Sequence, residues 1–273
     1  MLEPIEIAKR EERRQAVGTA EISVESEPIG GGIMCFSAIG SWSNQANALG
    51  LDGAVSDDEL DRLVEFYRSR GVEPQIEVAP FVDDSLIKGL AARGFTLRQF
   101  DNVFAREVSA DEDLRACLEH GWPSGLELVE LSQKSDPMLA EFIDASTCGF
   151  RPADEPIADH FFETCRRMIE HERCTSYAAV MDGKIVGGCS METTPEVASL
   201  FGVSVREPQR RRGIQQAMIV RRLERAQELG CPLVCIQSKP GIPTERNAVR
   251  LGFTLAYTKV VMAMAGEGLE PSP

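Results

Sequence analysis

Val203-Ser204-Val205-Arg206-Glu207-Pro208-Gln209-Arg210-Arg211-Arg212-Gly213-Ile214-Gln215 runs from a β-pattern through an arginine-rich loop with one glycine straight into a helical pattern. Between Arg206 and Arg225 there are seven arginines and two glutamates, so the window carries a local charge of +5. A strand-to-helix turn offers free amides and the positive end of the helix dipole, which together make an anion site. Glycine at 213 lets the backbone approach a bulky phosphate with no Cβ in the way. Guanidinium groups beside it add bidentate bonds to phosphate oxygens. Three adjacent arginines also suit a plain solvated surface, but their place at a strand–helix junction favours a phosphate or pyrophosphate ligand. The lysine and second glycine of a P-loop are absent, and so is the GxGxxG dinucleotide fingerprint.

Past the loop, Ile214, Met218, Leu223, Ala226 and Leu229 mark the apolar side of a helix that Gly230 and Pro232 stop. A strand pattern, Leu233–Gln237, comes next, then a short helix, Gly252-Phe253-Thr254-Leu255 and another strand. The same order occurs earlier in the chain. Gly94-Phe95-Thr96-Leu97 matches at an offset of 158 residues, Pro74 falls on Pro232, and Gln75–Ala79 stands where Leu233–Gln237 stands. Ser56 is a good N-cap for the earlier helix, which runs to about Arg70 with Asp57, Asp58 and Glu59 in its first turn. The agreement of order and spacing indicates an internal duplication.

The copies differ upstream. The second has a strand at 126–131, helical patterns around 137–148 and 158–171, and a hairpin of 177–181 and 184–192 turning at Asp182-Gly183. The first has only a charged helical stretch near residues 4–16 before its strands. Gly121-Trp122-Pro123-Ser124-Gly125 is a turn-rich break after a short helix containing Cys117, which sets the expected units at 1–120 and 121–273. Strands flanked by helices through short loops indicate an α/β (α+β) fold, a mixed sheet with helices on both faces.

Composition narrows the function. The 273 residues carry 43 acidic and 29 basic side chains, a net charge of −14, which argues against broad binding to nucleic acid or anionic membrane. No apolar run approaches the ~18 residues of a membrane span, and the charged N-terminus lacks the apolar centre of a signal peptide. Eight scattered cysteines without CxxC, and only three histidines, give no zinc pattern. They read as reduced core thiols of a cytoplasmic protein with no metal.

The β-pattern Val203–Val205 followed by Arg210-Arg211-Arg212-Gly213-Ile214 opening a helix resembles the acetyl-coenzyme A signature of the GNAT acetyltransferase superfamily, usually Gln/Arg-x-x-Gly-x-Gly/Ala. Asn247 and Leu251-Gly252-Phe253 resemble the family's closing segment. The resemblance covers roughly residues 126–265, and with the repeat it implies two GNAT-like units in tandem. It implies that amides at Arg210–Gln215 hold the pyrophosphate, with Arg210, Arg211, Arg212, Gly213, Ile214, Gln215 and Asn247 around it. The edge of Val203, Ser204 and Val205 would pair with the pantetheine arm, and an N–H near Val203 would polarise the thioester carbonyl.

The implied activity is transfer of acetyl from acetyl-coenzyme A, as co-substrate, to a primary amine on a small molecule or peptide, by direct attack through a tetrahedral intermediate. A homodimer is compatible with it; neither nucleic acid nor membrane is an expected partner. Two positions depart from the family. Gln215 replaces the second glycine or alanine, and Ala248 stands where many members carry the tyrosine that protonates the thiolate. Tyr257 is the nearest tyrosine in sequence, and equally a strand residue packed on the sheet. The register puts Ser199 where some members have a glutamate base. Glu192 and Glu196 flank the hairpin and could act directly or through water, or be solvated turn carboxylates. The missing acid and base keep a non-catalytic acyl-coenzyme A binding or sensing protein as the alternative. At the 158-residue offset the loop becomes Asp52-Gly53-Ala54-Val55, so the first unit is expected to hold no coenzyme A.

Overall fold

Apolar side chains of each unit are buried between its sheet and its helices. The computed structural model describes residues 2–131, 137–151 and 155–272, which divide into two units. The first is Leu2–Val103 together with the chain from Leu255 onward; the second is Phe104–Thr254.

In the first unit, α1 (Pro4–Ile22) precedes a hairpin of β1 (Glu25–Ile29) and β2 (Gly32–Phe36), the two-residue β3 (Ala46–Asn47), α2 (Asp57–Arg68), β4 (Gln75–Val78), α3 (Asp84–Ala92) and β5 (Thr96–Glu107). The expected helix near 4–16 continues to Ile22 because Ala16, Thr19 and Ile22 extend its buried face. Strands run in the order β1-β2-β3-β4, and then comes β11 (Thr254–Ala263), from the far end of the chain, beside β5. β11 is antiparallel to β4, with Val260 opposite Val78. Successive side chains of a strand point to opposite faces. Ile76 and Val78 therefore pack with Leu60, Leu63 and Leu90 from α2 and α3, while Glu77 faces the other way, where Gln15 of α1 donates to it at 3.0 Å. Helices cover both faces.

The second unit repeats the plan with longer strands. A short 3-10 turn at Leu114–Cys117 leads to β6 (Glu127–Glu130), α4 (Leu139–Thr147), α5 (Asp159–Glu170), β7 (Cys174–Met181), β8 (Lys184–Thr193), β9 (Ala198–Val205), α6 (Ile214–Glu228), β10 (Leu233–Ser238) and α7 (Pro243–Arg250). The order is β10-β9-β8-β7-β6, with β10 parallel to β9 and the others antiparallel. Ala178 and Val180 of β7 join Phe142, Ile143 and Ile169 of α4 and α5; Tyr177, Ala179 and Met181 join Ile214, Ala217 and Met218 of α6. Here too helices lie on both faces. Each large aliphatic side chain buried this way contributes about 1.5–3 kcal/mol.

The duplication is geometric as well as lexical. β4 and β10 open at Gln75 and Leu233, and β5 and β11 at Thr96 and Thr254, each pair separated by the offset read from the sequence. Gly94 and Gly252 share a left-handed backbone, φ +81° and +82°. The cysteines are free as expected, though not all are core: Cys117 and Cys148 are half-buried.

Candidate active site

Strand β9 ends at Val205, and Glu207–Gln209 makes one 3-10 turn before the loop reaches α6. Arg211 (φ +64°) and Gly213 (φ +76°) both adopt left-handed backbone, a conformation that favours glycine and turns successive amides to one side. Gly213 is the N-cap of α6, and among the described residues no side chain caps that end. The first amides of the helix thus retain their capacity to bind an anion.

The arginines sort into different roles. Arg206 turns inward, with Nη2 on Asp144 Oδ2 at 2.7 Å and Nε on the Ile185 carbonyl at 3.2 Å. Arg210 Nε donates to the Val205 carbonyl at 3.0 Å, and Arg212 bonds Gln209. Arg210, Arg211 and Arg212 are all exposed around the helix end. Arg221 and Arg225 belong elsewhere, in ion pairs with Glu228.

Gln215 and Asn247 are brought together. Asn247 Nδ2 donates to Gln215 Oε1 at 2.6 Å, its Oδ1 accepts from Gln216 Nε2 at 3.1 Å, and Gln215 Nε2 reaches Thr244 Oγ1 at 3.0 Å. This amide network ties α7 to the first turn of α6. One residue on, Ala248 is fully buried among Leu251, Phe253 and Val220.

β9 and β10 pair only at Ala198, Ser199 and Leu200, opposite Val234, Cys235 and Ile236. β9 runs five residues further, to Val205, along β8. Its register slips between Gly188 and Ser190, and Gly202 takes φ +57°. This is a bulge of the kind that re-aims backbone next to functional sites. Phe201, Gly202 and Val203 are partly exposed, Ser204 is buried and accepts from the Gly149 amide at 3.0 Å, and Val205 is partly exposed.

Glu192 and Ser199 lie directly opposite each other on β8 and β9. Both are buried. Arg173 holds the Glu192 carboxylate, Nη2–Oε1 2.9 Å. Glu196 is an exposed turn residue. Tyr257 belongs to the first unit: its hydroxyl donates to buried Glu12 at 2.7 Å and its ring packs edge-on against Phe81. Near the loop, an open cleft of about 890 Å³ is lined by Asp144, Cys148, Arg151, Phe162, Arg206 and Arg210 among others. Sequence reading missed Asp144 and Arg173, partners fixed only by tertiary contact. It also missed Arg222, although its spacing from Met218 and Ala226 places it on the apolar stripe of α6.

The matching helix end in the first unit is closed. Ser56 caps α2, accepting from the Glu59 amide, while Glu59 takes bonds from the Ser56 amide (2.9 Å) and the Gly30 amide (3.1 Å). The Ser56 amide and hydroxyl, helped by that of Gly30, hold the Glu59 carboxyl below its usual pKa. Asp52 pairs with Arg13 at 2.6 Å. Where α6 has no side-chain cap, α2 has the Ser56 hydroxyl on the Glu59 amide and the Glu59 carboxylate on the Ser56 amide. The counterpart of β9 here is only Ala46–Asn47. Asn44 and Gln45 are buried in the loop before β3 and Asn47 is buried within it; Asn44 bonds Ala38 O and the Ser37 amide.

Residues 138–253 match the model of the acetyltransferase (GNAT) family. The fold is similar to a GCN5-related N-acetyltransferase from Kribbella flavida (17% identity, 95% of this chain and 96% of that one, TM-score 0.69). It is also similar to a tandem GNAT protein from the clavulanic acid biosynthesis pathway (17% identity, 87% and 80% covered, TM-score 0.59). A third is a putative GNAT acetyltransferase from Novosphingobium aromaticivorans (15% identity, 97% and 100% covered, TM-score 0.57). No curated protein sequence matches the chain.

Proposed function

We propose that the second unit, whose residues 138–253 match the acetyltransferase (GNAT) family model, transfers acetyl from acetyl-coenzyme A to a primary amine. The observation that carries this reading is the open N-terminus of α6, uncapped and ringed by exposed Arg210, Arg211 and Arg212. Amides from Arg211 to Gln215 would take the diphosphate, and the Gln215–Asn247 network would hold the loop's far side. The free edge at Phe201–Val205 would pair with the pantetheine arm in the manner of an added strand.

In the transfer step the amine lone pair forms the C–N bond while the carbonyl π pair moves to oxygen. The pair returns as the C–S bond breaks and thiolate leaves. Glu192, opposite Ser199 and held by Arg173, is the base we assign to the amine proton, directly or through water. With Ala248 buried, the thiolate takes its proton from solvent. Tyr257, engaged with Glu12, is assigned to packing.

The acceptor is a small molecule or a peptide, and the −14 charge mildly favours a cationic one at encounter. The open cleft beside Arg206, about 890 Å³ in volume, is the space we assign to it. We assign the first unit, expected from the sequence as residues 1–120 and formed here by Leu2–Val103 with the chain from Leu255 onward, to a scaffold that keeps the architecture without coenzyme A, because Glu59 closes its helix end and Asp52 is engaged with Arg13. A cytoplasmic site of action fits the free thiols.

Calorimetric titration with acetyl-coenzyme A, followed by thiol release over a panel of a polyamine, an amino sugar and a lysine peptide, tests the reading. Binding with turnover supports it. Binding without thiol release for any amine would favour an acyl-coenzyme A sensor, the reading that buried Ala248 favours.

A further inference from the structure

Behind the β9 bulge lies one fully buried guanidinium. Arg222 is 1% exposed. Its Nε donates to the Met218 carbonyl at 3.0 Å, and its Nη1 to the carbonyls of Ser190 (2.9 Å) and Phe201 (3.2 Å). Among the described residues no carboxylate pairs with it. Burial pulls its pKa down, yet an arginine stays protonated at neutral pH. A buried cation answered only by carbonyls is costly to keep. The scaffold itself does not require it: at the 158-residue offset the first unit has Val64, packed against that unit's apolar core. The arginine accompanies the unit whose helix end is open.

Its two strand contacts are specific. Ser190 and Phe201 are register partners at the point where β8 and β9 slip, and Gly202 follows with φ +57°. Among the described residues there is no cis peptide. Drawing the Phe201 carbonyl toward α6 therefore turns the Gly202 N–H to the opposite side, away from the arginine. An amide whose oxygen accepts from a cation is polarised, and its N–H becomes a stronger donor.

We propose that Arg222 is a positioning residue for acyl transfer: it fixes the Phe201–Gly202 peptide in the bulge and strengthens the Gly202 N–H as the donor to the thioester oxygen. This rests on reading β9 as the acyl-carrier edge. When the amine adds to the thioester carbon, negative charge gathers on that oxygen, and the Gly202 N–H meets it until the C–S bond breaks. Arg222 gives up neither a proton nor electrons.

The test is the infrared C=O stretch of acetyl-coenzyme A, labelled with 13C at the carbonyl, bound to the wild type, Arg222→Met and Arg222→Lys. The stretch should fall on binding to the wild type, return toward the free value in the Met variant and recover partly in the Lys variant. Thiol release with the best amine of the panel should lose about ten- to a hundredfold in kcat for Arg222→Met, less than the ~10²–10³ that deleting a donor costs. The calorimetric Kd should change by less than about twofold. An unshifted stretch in the wild type overturns the proposal even if the Met variant fails to fold. So does a Met variant that keeps both stretch and kcat. Absence of any binding to the wild type would instead remove the reading of β9 on which the proposal stands.

Discussion

The carboxylate of Glu59 accepts the backbone amide of Ser56 at 2.9 Å while the Ser56 hydroxyl accepts the amide of Glu59, so helix α2 closes its own N-terminus. Ser56→Ala should destabilise the protein by about 1 kcal/mol, read as a lower denaturation midpoint. Affinity for acetyl-coenzyme A should not move, because the open helix end is that of α6. A weakened Kd in this variant would place carrier binding in the first unit after all.

The ammonium of Lys259 is fully buried, on Glu12 (3.1 Å), Gln15 (2.7 Å) and Glu77. Lys259→Met would leave two buried carboxylates without their cation and should cost about 3–5 kcal/mol. Despite desolvation, which lowers it, attraction from Glu12 and Glu77 holds the Lys259 pKa above its ordinary 10.5. A raised pKa means that this stabilisation is complete below about 10.5 and is lost as pH climbs through the higher folded value. The difference in melting temperature between the wild type and Lys259→Met should therefore be constant near neutrality and shrink above pH 10.5.

Glu192 is buried opposite Ser199. If it removes the amine proton, Glu192→Gln should lower kcat by about 10²-fold or more with little change in the KM for acetyl-coenzyme A. An unchanged pH–rate profile in that variant would show that bulk water does the work.

Tyr257 gives its hydroxyl to Glu12. Tyr257→Phe should leave turnover unaltered and lower thermal stability modestly, since the loss is one buried hydrogen bond of about 1 kcal/mol. A large fall in kcat at unchanged stability would make the hydroxyl a participant.

Much of this was legible in the sequence because it is local. The glycine and proline punctuation, the Gly-Phe-Thr-Leu repeat and the apolar side of Ile214, Met218, Leu223 and Ala226 depend on neighbours a few residues away, and elements formed where they indicate. The open end of α6 was legible for the same reason: nothing near Gly213 resembles a cap. The closure of α2 was half legible, since Ser-x-x-Glu is written at residues 56–59, although the acidic turn reads first as simple repulsion. What depends on pairing between distant strands was not legible. The bulge at Gly202, Arg173 beside Glu192, and β11 joining the first unit are consequences of register. No periodicity over fifteen residues reports that. Arg222 breaks an apolar stripe, and only the carbonyls it meets explain why.

The central claim, that the turn into α6 holds the diphosphate, is tested most directly by titrating acetyl-coenzyme A calorimetrically into the wild type, Gly213→Asp and a control, Val55→Asp, at the matching place in the first unit. A carboxylate at 213 would sit among the amides meant for phosphate, so binding should weaken by about a hundredfold or more, consistent with losing one or two charge-assisted bonds. Val55→Asp should keep the wild-type affinity provided circular dichroism shows it folded. Equal affinity in the wild type and Gly213→Asp would contradict the account.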